Sequence, residues 1–186
     1  MSIIRIYTDG GCSGNQSREN FGGWGAILEY GGRQKELYGG ACNTTNNRME
    51  MTALLNALNA LKKENLSLEI FSDSAYLMNC FREKWYETWQ KNGWITSGKK
   101  PVENKELWEQ LIAHLTKHKS FSFYRVKGHV NLHSKSTDFN ALYEKFLEWN
   151  GMNFSFEDFK YITQMNHRAD ALATLGIEEA RLHENK

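Results

Sequence analysis

The alternation of hydrophobic and polar positions predicts three strands at the start of the chain. β-Branched and aromatic residues fill positions 3–8, and this run ends at Asp9, which two glycines follow. Two further strand-like runs, 22–30 and 33–40, are joined through a Gly-Gly pair that suits a two-residue hairpin turn. The pattern therefore predicts that an antiparallel meander opens the fold.

Helical spacing follows the meander. Residues 47–63 carry apolar side chains three and four positions apart, after a capping segment of threonine and asparagine. Residues 67–72 then predict a short strand that ends at Asp73. A strand that is reached through a helix is usually parallel to an earlier one. We therefore expect Asp9 and Asp73 to end neighbouring strands at one edge of the sheet.

The second half of the chain predicts helices around one more strand. Residues 74–98 are mostly helical, another helix follows Asn104, and residues 121–127 alternate as a strand does. Two short amphipathic helices around an Asn-Gly pair and a last helix from about His167 complete the pattern. No repeat or linker divides the chain, so we expect one α/β domain over residues 1–186, with a five-stranded mixed sheet, three antiparallel strands then parallel ones, flanked by helices.

Composition narrows the class of protein only slightly. The chain is 40% hydrophobic and 13% aromatic, which is ample for a packed core, and its formal net charge is +1, so any basic surface must be local. Cys12, Cys42 and Cys80 contain no CxxC pair, which favours reduced thiols. Without a signal peptide or a run of ~18 apolar residues, the expectation is a cytoplasmic protein that does not contact a membrane.

Glu50 is the most informative single residue. It shares one helical face with Leu54, Ala57 and Leu61, so its carboxylate is expected to face the sheet. A buried carboxylate is costly unless it is protonated, paired or bound to a metal. The alternative is a structural role in the first turn of the helix, where the macrodipole favours an acid that water still reaches.

Asp9, Asp73 and Asp170 carry the same ambiguity one by one. The first two suit ordinary turn chemistry at strand ends, and Asp170 suits a surface acid in the first turn of the last helix. Together, acids at the carboxyl ends of strands would repel each other unless cations intervene. An all-oxygen ligand set favours Mg²⁺ or Mn²⁺, and two such ions about 4 Å apart can activate a water and stabilise the leaving oxygen of a phosphodiester.

Four sequence motifs make a family resemblance visible. In chain order they are Tyr7-Thr8-Asp9-Gly10-Gly11-Cys12-Ser13-Gly14-Asn15, Thr44-Thr45-Asn46-Asn47-Arg48-Met49-Glu50, Ser72-Asp73-Ser74 and Val126-Lys127-Gly128-His129. They closely resemble the motifs of the type I ribonuclease H family, particularly its bacterial members. The resemblance covers residues 1 to about 129, and the last helix rejoins the pattern at residues 166–173.

The resemblance implies the ribonuclease H-like fold and an activity. It implies an endonuclease that hydrolyses the RNA strand of RNA–DNA hybrids by a two-metal-ion mechanism with Mg²⁺, for which Mn²⁺ can substitute, leaving 5′-phosphate and 3′-hydroxyl ends. The implied metal ligands are Asp9, Glu50, Asp73 and Asp170. His129, in a mobile loop, is implied to assist proton transfer or product departure, for which an imidazole suits neutral pH. The expected partner is the hybrid duplex, bound by a monomer.

The resemblance also implies substrate contacts. The residues expected to meet the RNA strand in the minor groove, where 2′-hydroxyls distinguish RNA from DNA, are Cys12, Asn15, Asn46 and Asn47. Thr45 and Asn104 are the implied contacts to the backbone of the DNA strand. Thr45 and Asn46 are also good helix-capping residues, and the two roles can coexist.

Residues 82–105 resemble the basic protrusion of the family. This segment has six basic and three acidic residues, and such a local excess can neutralise backbone phosphates and make binding sensitive to salt. For Trp85, Trp89 and Trp94 we expect packing between the helices of the protrusion rather than stacking on bases.

The chain departs from the family pattern in two places. Ala75 stands where many bacterial members have a glutamine that contacts substrate, so one minor-groove hydrogen bond is expected to be missing. About thirty residues are inserted between His129 and Asp170, and they predict a helical hairpin over about residues 131–165, before the last helix. We hypothesise that this insert packs beside the substrate groove and alters hybrid binding or product release.

Two uncertainties of function and site stay open in the sequence. Because the insert leaves only a short motif around Asp170, Asp138 and Asp158 are alternative fourth ligands. One alternative function is a nucleic-acid-binding module that has lost catalysis, and another is a nuclease that acts on a DNA junction or a different duplex.

Overall fold

The computed structural model describes residues 3–14 and 19–184, and this part of the chain contains one five-stranded sheet. The strands are β1 (Ile3–Ser13), β2 (Phe21–Tyr30), β3 (Arg33–Cys42), β4 (Ser67–Ser72) and β5 (Ser120–Arg125). Their order is β3-β2-β1-β4-β5, with antiparallel pairing among the first three and parallel pairing of β4 with β1 and with β5. The predicted mixed sheet is therefore confirmed.

Six helices flank the sheet in the described residues. They are α1 (Asn46–Asn59), α2 (Ala75–Arg82), α3 (Trp85–Asn92), α4 (Lys105–Leu115), α5 (Phe139–Asn150) and α6 (Phe156–Glu184). None of these helices is long and apolar enough to cross a membrane.

Local chemistry explains the two best predicted features. The β2–β3 turn places Gly31 and Gly32 at φ 54° and 77°, the positive angles that a two-residue hairpin turn requires at both positions. Thr45 is the N-cap of α1, and its side chain accepts a hydrogen bond of 3.2 Å from the Arg48 backbone N–H. The hairpin and the capping segment are thus confirmed.

Alternating residues of β1 serve two separate cores. Ile4 and Ile6 pack with the buried side chains of α1, α2 and α4 on one face of the sheet. Tyr7 points to the other face, where it packs with Phe71 and with buried residues of α5 and α6. The first face is therefore covered by helices that precede β5 in the chain, and the second face by the two helices that follow it.

The tryptophans of the protrusion pack against one another, as predicted. The ring of Trp89 lies 6.3 Å from Trp85, 6.0 Å from Trp94 and 5.6 Å from the buried Trp108, measured between ring centroids. This cluster fixes α3 on the main body of the protein.

The last helix differs from its prediction. It begins at Phe156 rather than near His167, and it runs without a break to Glu184. The predicted second short helix of the insert and the predicted last helix are therefore one element, and the hairpin consists of α5 and the first turns of α6. The reason is a continuous apolar stripe at spacings of three and four residues, formed by Phe159, Ile162, Met165, Ala169, Leu172 and Ala173.

The insert belongs to the core of the second face. Phe146 of α5 and Phe159 of α6 are buried, and their ring centroids lie 5.3 Å apart. Asp138 caps α5 by accepting a 3.0 Å hydrogen bond from the Ala141 N–H, and Asp158 pairs with Arg5. These two aspartates therefore have structural partners, away from the candidate site described next.

Candidate active site

Three carboxylates gather where β4 ends. Asp9, Glu50 and Asp73 each offer an oxygen, and the three oxygens lie within 4.8 Å of one another. Only 5% of Asp9 and 6% of Glu50 is exposed to solvent. The sequence prediction placed these three acids together, and the structure does bring them together.

Strand register and one glycine explain this convergence. Thr8 of β1 pairs with Ser72 of β4 in parallel, so the next residue of each chain segment is an aspartate at the same level. Gly10 allows α1 to approach, because a Cβ atom at this position would collide with the backbone of Met49 and Glu50. The start of α1 therefore lies directly against β1, and Glu50 reaches the two aspartates.

The electrostatics of the cluster oppose ionisation of all three acids. Burial, followed by the charge of Asp73, raises the pKa of Asp9 to about 9. Burial and the charges of both aspartates raise the pKa of Glu50 well above its ordinary value, and burial also raises that of Asp73. Ser72 lies beside the cluster, with its hydroxyl 3.4 Å from Glu50 Oε2.

The donor set fits divalent cations. Within residues 3–14 and 19–184, no lysine or arginine forms an ion pair with Asp9, Glu50 or Asp73. Buried carboxylates without a cationic side chain are normally protonated or bound to a metal. An all-oxygen set suits a hard cation such as Mg²⁺, which can supply the positive charge that this pocket lacks.

Asp170 and His129 approach the cluster from its open side. Asp170 raises the pKa of Asp9 and lines the same pocket, but it lies outside the compact set of three acids. It occupies the middle of α6, so the alternative explanation as a first-turn acid favoured by the helix dipole is wrong. Its Oδ1 lies 3.9 Å from Nδ1 of His129, whose side chain is 79% exposed.

The loop that carries His129 rests on the acid cluster. His129 itself has a left-handed φ of 56°, and a Cβ at Gly128 would collide with the carboxylate of Asp73. A glycine is therefore required for the loop to pass this close to Asp73. The loop backbone places the imidazole at the rim of the pocket rather than inside it.

The predicted substrate contacts fall into two groups. Cys12, Asn46 and Asn47 line the acidic pocket, and the Cys12 N–H donates a 2.8 Å hydrogen bond to Asn46 Oδ1. Thr45 and Asn104 lie apart from that lining, around Arg48, whose Nη1 donates a 3.0 Å hydrogen bond to Asn104 Oδ1. Asn15 lies outside the described residues.

Sequence reasoning missed part of the pocket. The pocket has a volume of about 680 Å³, and its lining includes Arg125, Lys127 and Trp149 in addition to the residues singled out in the sequence. Trp149 comes from α5 of the insert, and the packing that brings it here is not visible in the sequence. Lys127 belongs to the same motif as His129, and this motif could have predicted that Lys127 lies near the pocket.

The fold and the acid cluster together define a class: an α/β protein with a candidate divalent-cation site at the carboxyl edge of a mixed sheet. A family model described as RNase H matches residues 1–143. A ribonuclease H of Chlorobaculum parvum is 52% identical over 176 residues, which cover 95% of this chain and 96% of the relative. A ribonuclease H of Acetivibrio thermocellus is 51% identical over 129 residues, covering 69% and 84%. The chain therefore belongs to the ribonuclease H family and is a hydrolase of that class.

Solved structures agree on the fold. The structure of LC11-RNase H1 in complex with an RNA/DNA hybrid has a TM-score of 0.59 at 21% identity and covers 95% of this chain and 98% of that one. The solution structure of the PFV RNase H domain has a TM-score of 0.62 at 24% identity and covers 94% of both chains. At these identities the likeness confirms the ribonuclease H-like architecture.

The family model and the Chlorobaculum parvum relative match different lengths of the chain. The family model ends at residue 143, so Asp170 and most of the insert lie beyond it. The match to the Chlorobaculum parvum relative covers 95% of the chain and so extends through Asp170 and the segment before it. The inserted segment therefore lies within the span of one match and mostly outside that of the other.

Proposed function

We propose that this ribonuclease H is an endonuclease that hydrolyses the RNA strand of RNA–DNA hybrids. The observation that carries the proposal is the cluster of Asp9, Glu50 and Asp73, whose oxygens lie within 4.8 Å of one another in an open pocket. The hybrid bound by LC11-RNase H1, a protein of the same fold, supports the choice of substrate.

The pocket is proposed to hold two Mg²⁺ ions, with Mn²⁺ as a substitute. Asp9, Glu50 and Asp73 are the proposed ligands, and Asp170, which lines the same pocket beside Asp9, is the fourth. When bound, such ions activate a water and stabilise the leaving oxygen of a phosphodiester. The chain then needs no protein nucleophile, and hydrolysis leaves 5′-phosphate and 3′-hydroxyl ends.

Other residues of the chain are proposed to position the substrate and to move a proton. The exposed His129, 3.9 Å from Asp170, is placed to move a proton at the pocket rim or to assist product departure. Cys12, Asn46 and Asn47 line the pocket, which supports contacts to the RNA strand in the minor groove. The remaining contacts proposed by resemblance are Asn15 to the RNA strand and Thr45 and Asn104 to the DNA backbone. We propose that the monomer is the active form.

A cleavage assay with a matched pair of variants tests the proposal. With Mg²⁺ and an end-labelled hybrid, the wild-type chain should cut the RNA strand, while Asp9→Asn should nearly abolish cleavage. Asp138→Asn is the control, because asparagine caps a helix as well as aspartate does and Asp138 lies away from the pocket. Full activity of Asp9→Asn would contradict the assignment.

Substrate comparison separates the alternatives. The proposal expects the hybrid to be cut in preference to double-stranded RNA, double-stranded DNA and a DNA junction. Hybrid binding without cleavage in Mg²⁺ or Mn²⁺ would instead indicate a binding module, and preference for another duplex would indicate a different nuclease. The presence of 5′-phosphate and 3′-hydroxyl ends can be checked by ligating the products.

A further inference from the structure

One wall of the acidic pocket is built by the insert. Beyond His129, the pocket lining continues through Lys127 and Arg125 to Trp149, which belongs to the last turn of α5. This wall contributes a ring and two cationic side chains to a pocket whose other side is acidic. Its residues have no role in the function proposed above.

The end of α5 is held firmly on β5. Asn150 accepts a 2.8 Å hydrogen bond from the Arg125 N–H and donates another of 2.8 Å to the Arg125 carbonyl. Arg82 binds the same corner, because it donates to the carbonyl of Trp149 at 3.0 Å and to Asn150 Oδ1 at 2.6 Å. The position of Trp149 relative to Arg125 is thus fixed by four hydrogen bonds.

Arg125 is stacked on the ring of Trp149. Its Cζ lies 4.2 Å from the ring centroid, which is well within the range of a cation–π contact. A guanidinium that stacks through its face keeps the N–H donors on its edge, and these donors match the geometry of phosphate oxygens. The stack therefore preorganises the arginine without consuming its hydrogen-bonding capacity.

Arg82 and Arg125 differ from other arginines of the chain in their partners. Arg5, Arg48 and Arg168 each have a carboxylate oxygen at 2.5–2.6 Å. In the part of the chain that the structure describes, no ion pair involves Arg82 or Arg125, and the groups that contact them are neutral.

These two guanidinium groups also act on each other. Burial, followed by the positive charge of Arg125, lowers the pKa of Arg82 below its ordinary value. Lys145 lies on the same ring, with its Nζ 5.6 Å from the Trp149 centroid, although it pairs with Glu148 at 3.3 Å. The corner therefore carries an excess of positive charge beside the pocket, and an anion would balance it.

We propose that Arg125, stacked on Trp149, binds a backbone phosphate of the hybrid next to the one that reacts. The inference rests on the proposed function, because it takes the hybrid as the ligand of the acidic pocket. Lys127 and Arg125 then continue the path of the substrate backbone away from the acids, and the insert contributes by orienting the arginine. This assigns a substrate-binding role to the segment that departs from the family pattern.

The test combines charge removal with a matched control. Arg125→Gln is expected to raise the KM for the hybrid about ten-fold, with a smaller effect on kcat, because one charged hydrogen bond to phosphate is lost. The slope of log affinity against log salt should fall by about 1, measured in the cleavage-deficient Asp9→Asn background. Arg33→Gln is the control, because Arg33 is exposed on the β2–β3 turn, at the other end of the sheet.

A double-mutant cycle tests the role of Trp149. Trp149→Ala should raise KM about three-fold in the wild-type chain but have little further effect in Arg125→Gln, because the ring acts through the arginine. Trp149→Phe keeps an aromatic ring and should restore most of the affinity. Thermal unfolding of each variant shows whether it is folded, and Arg125→Lys provides a variant that keeps the charge.

The outcomes separate this inference from the proposed function. If the wild-type chain does not cleave the hybrid, the proposed function fails. If the wild-type chain cleaves it and Arg125→Gln matches Arg33→Gln in KM and in salt dependence, this inference alone is overturned. Additive effects of Trp149→Ala and Arg125→Gln would overturn the orienting role of the ring.

Discussion

Two regions along strand β1 differ in how their charged side chains are paired. On the face covered by α5 and α6, Arg5 is 22% exposed and meets both oxygens of Asp158, at 2.6 and 2.9 Å. Four residues along the strand, Asp9 is 5% exposed and has only acids as its charged neighbours in the cluster. We name these regions the aromatic face, formed by the second core with the Arg5–Asp158 pair, and the acidic pocket.

The difference shows which region is arranged for stability and which for a ligand. In the aromatic face, Arg5 and Asp158 neutralise each other among apolar side chains, so no ligand is needed to balance their charges. In the acidic pocket, like charges are held together at a cost to folding. A cation supplied from solution is the simplest compensation, and the cost is retained because the site needs it.

The largest expected effect comes from Glu50→Gln in the acidic pocket. Cleavage of the hybrid should fall about 10³-fold, because a metal ligand worth several kcal/mol of transition-state stabilisation is removed. In a chelator at pH 8, the free energy of unfolding should nevertheless rise by about 1 kcal/mol, since repulsion in the cluster is relieved. Chemical denaturation and cleavage rates measure both. If Glu50→Gln lost stability together with activity, the claim that the acidic pocket is held together at a cost to folding would be contradicted.

Phe146→Ala tests the aromatic face. Removing this buried ring should lower the free energy of unfolding by about 4 kcal/mol, because it leaves a cavity among Phe154 and Phe159. Divalent-cation affinity of the folded fraction should change little. Urea unfolding measures the loss, with the exposed Met152→Ala as a control that should be nearly neutral. If Phe146→Ala lowered the free energy of unfolding as little as Met152→Ala does, the insert would not be part of the core.

The pH dependence of stability should expose the acidic pocket. Asp9 has a pKa raised to about 9 when folded, so the folded chain holds its proton more tightly than the unfolded chain does. This contribution is fully present below about pH 4 and is lost as the pH rises through about 9. In a chelator, the wild-type chain should therefore lose about 3 kcal/mol relative to Asp9→Asn between about pH 6.5 and pH 9.

Added Mg²⁺ should reverse most of this loss, since a cation replaces the protons of the carboxyl groups. Unfolding free energies at several pH values, with and without Mg²⁺, measure it. A difference between the wild-type chain and Asp9→Asn that did not change with pH would contradict the proposed crowding of the acids.

Arg5→Ala should have the smallest effect of the series. Breaking the Arg5–Asp158 pair leaves an unmatched carboxylate, and partial exposure limits the cost to about 2 kcal/mol. A double change, Arg5→Leu with Asp158→Leu, should recover most of it, because no charge is then left alone. If the double variant were as unstable as the single one, packing rather than charge pairing would explain the effect.

Much of the sheet and of the acid cluster could be predicted because local chemistry determines it. Gly31 and Gly32 supply the positive φ angles of the hairpin, and the apolar stripe around Glu50 orients that acid toward the sheet. The parallel register of β1 and β4 then aligns Asp9 with Asp73. Each of these features follows from a short stretch of sequence together with one rule of chain topology.

The last helix and the cationic wall could not be predicted in the same way. The sequence analysis began the last helix near His167, but Asn166 is buried and the apolar stripe from Phe159 to Ala173 continues through it. The apolar stripe could have predicted from the sequence that the helix begins earlier. The stack of Arg125 on Trp149 joins a strand end to an insert, and only tertiary packing reveals such a contact.

Deletion of the insert would not isolate its effect on hybrid binding. Deleting residues 132–162 would remove the buried Phe146, Phe154, Phe159 and Ile162 and uncover the aromatic side chains of the sheet. A deletion would therefore combine loss of stability with any change in hybrid binding. Substitution of Arg125 or Trp149 separates the two effects.

The central claim is that the gathered acids hold divalent cations. The most direct measurement is anomalous diffraction from crystals grown with Mn²⁺ and an RNA–DNA hybrid. We expect manganese peaks within coordination distance, about 2.2 Å, of carboxylate oxygens from Asp9, Glu50 and Asp73. Manganese bound only elsewhere, with the three carboxylates free beside the hybrid, would contradict the account.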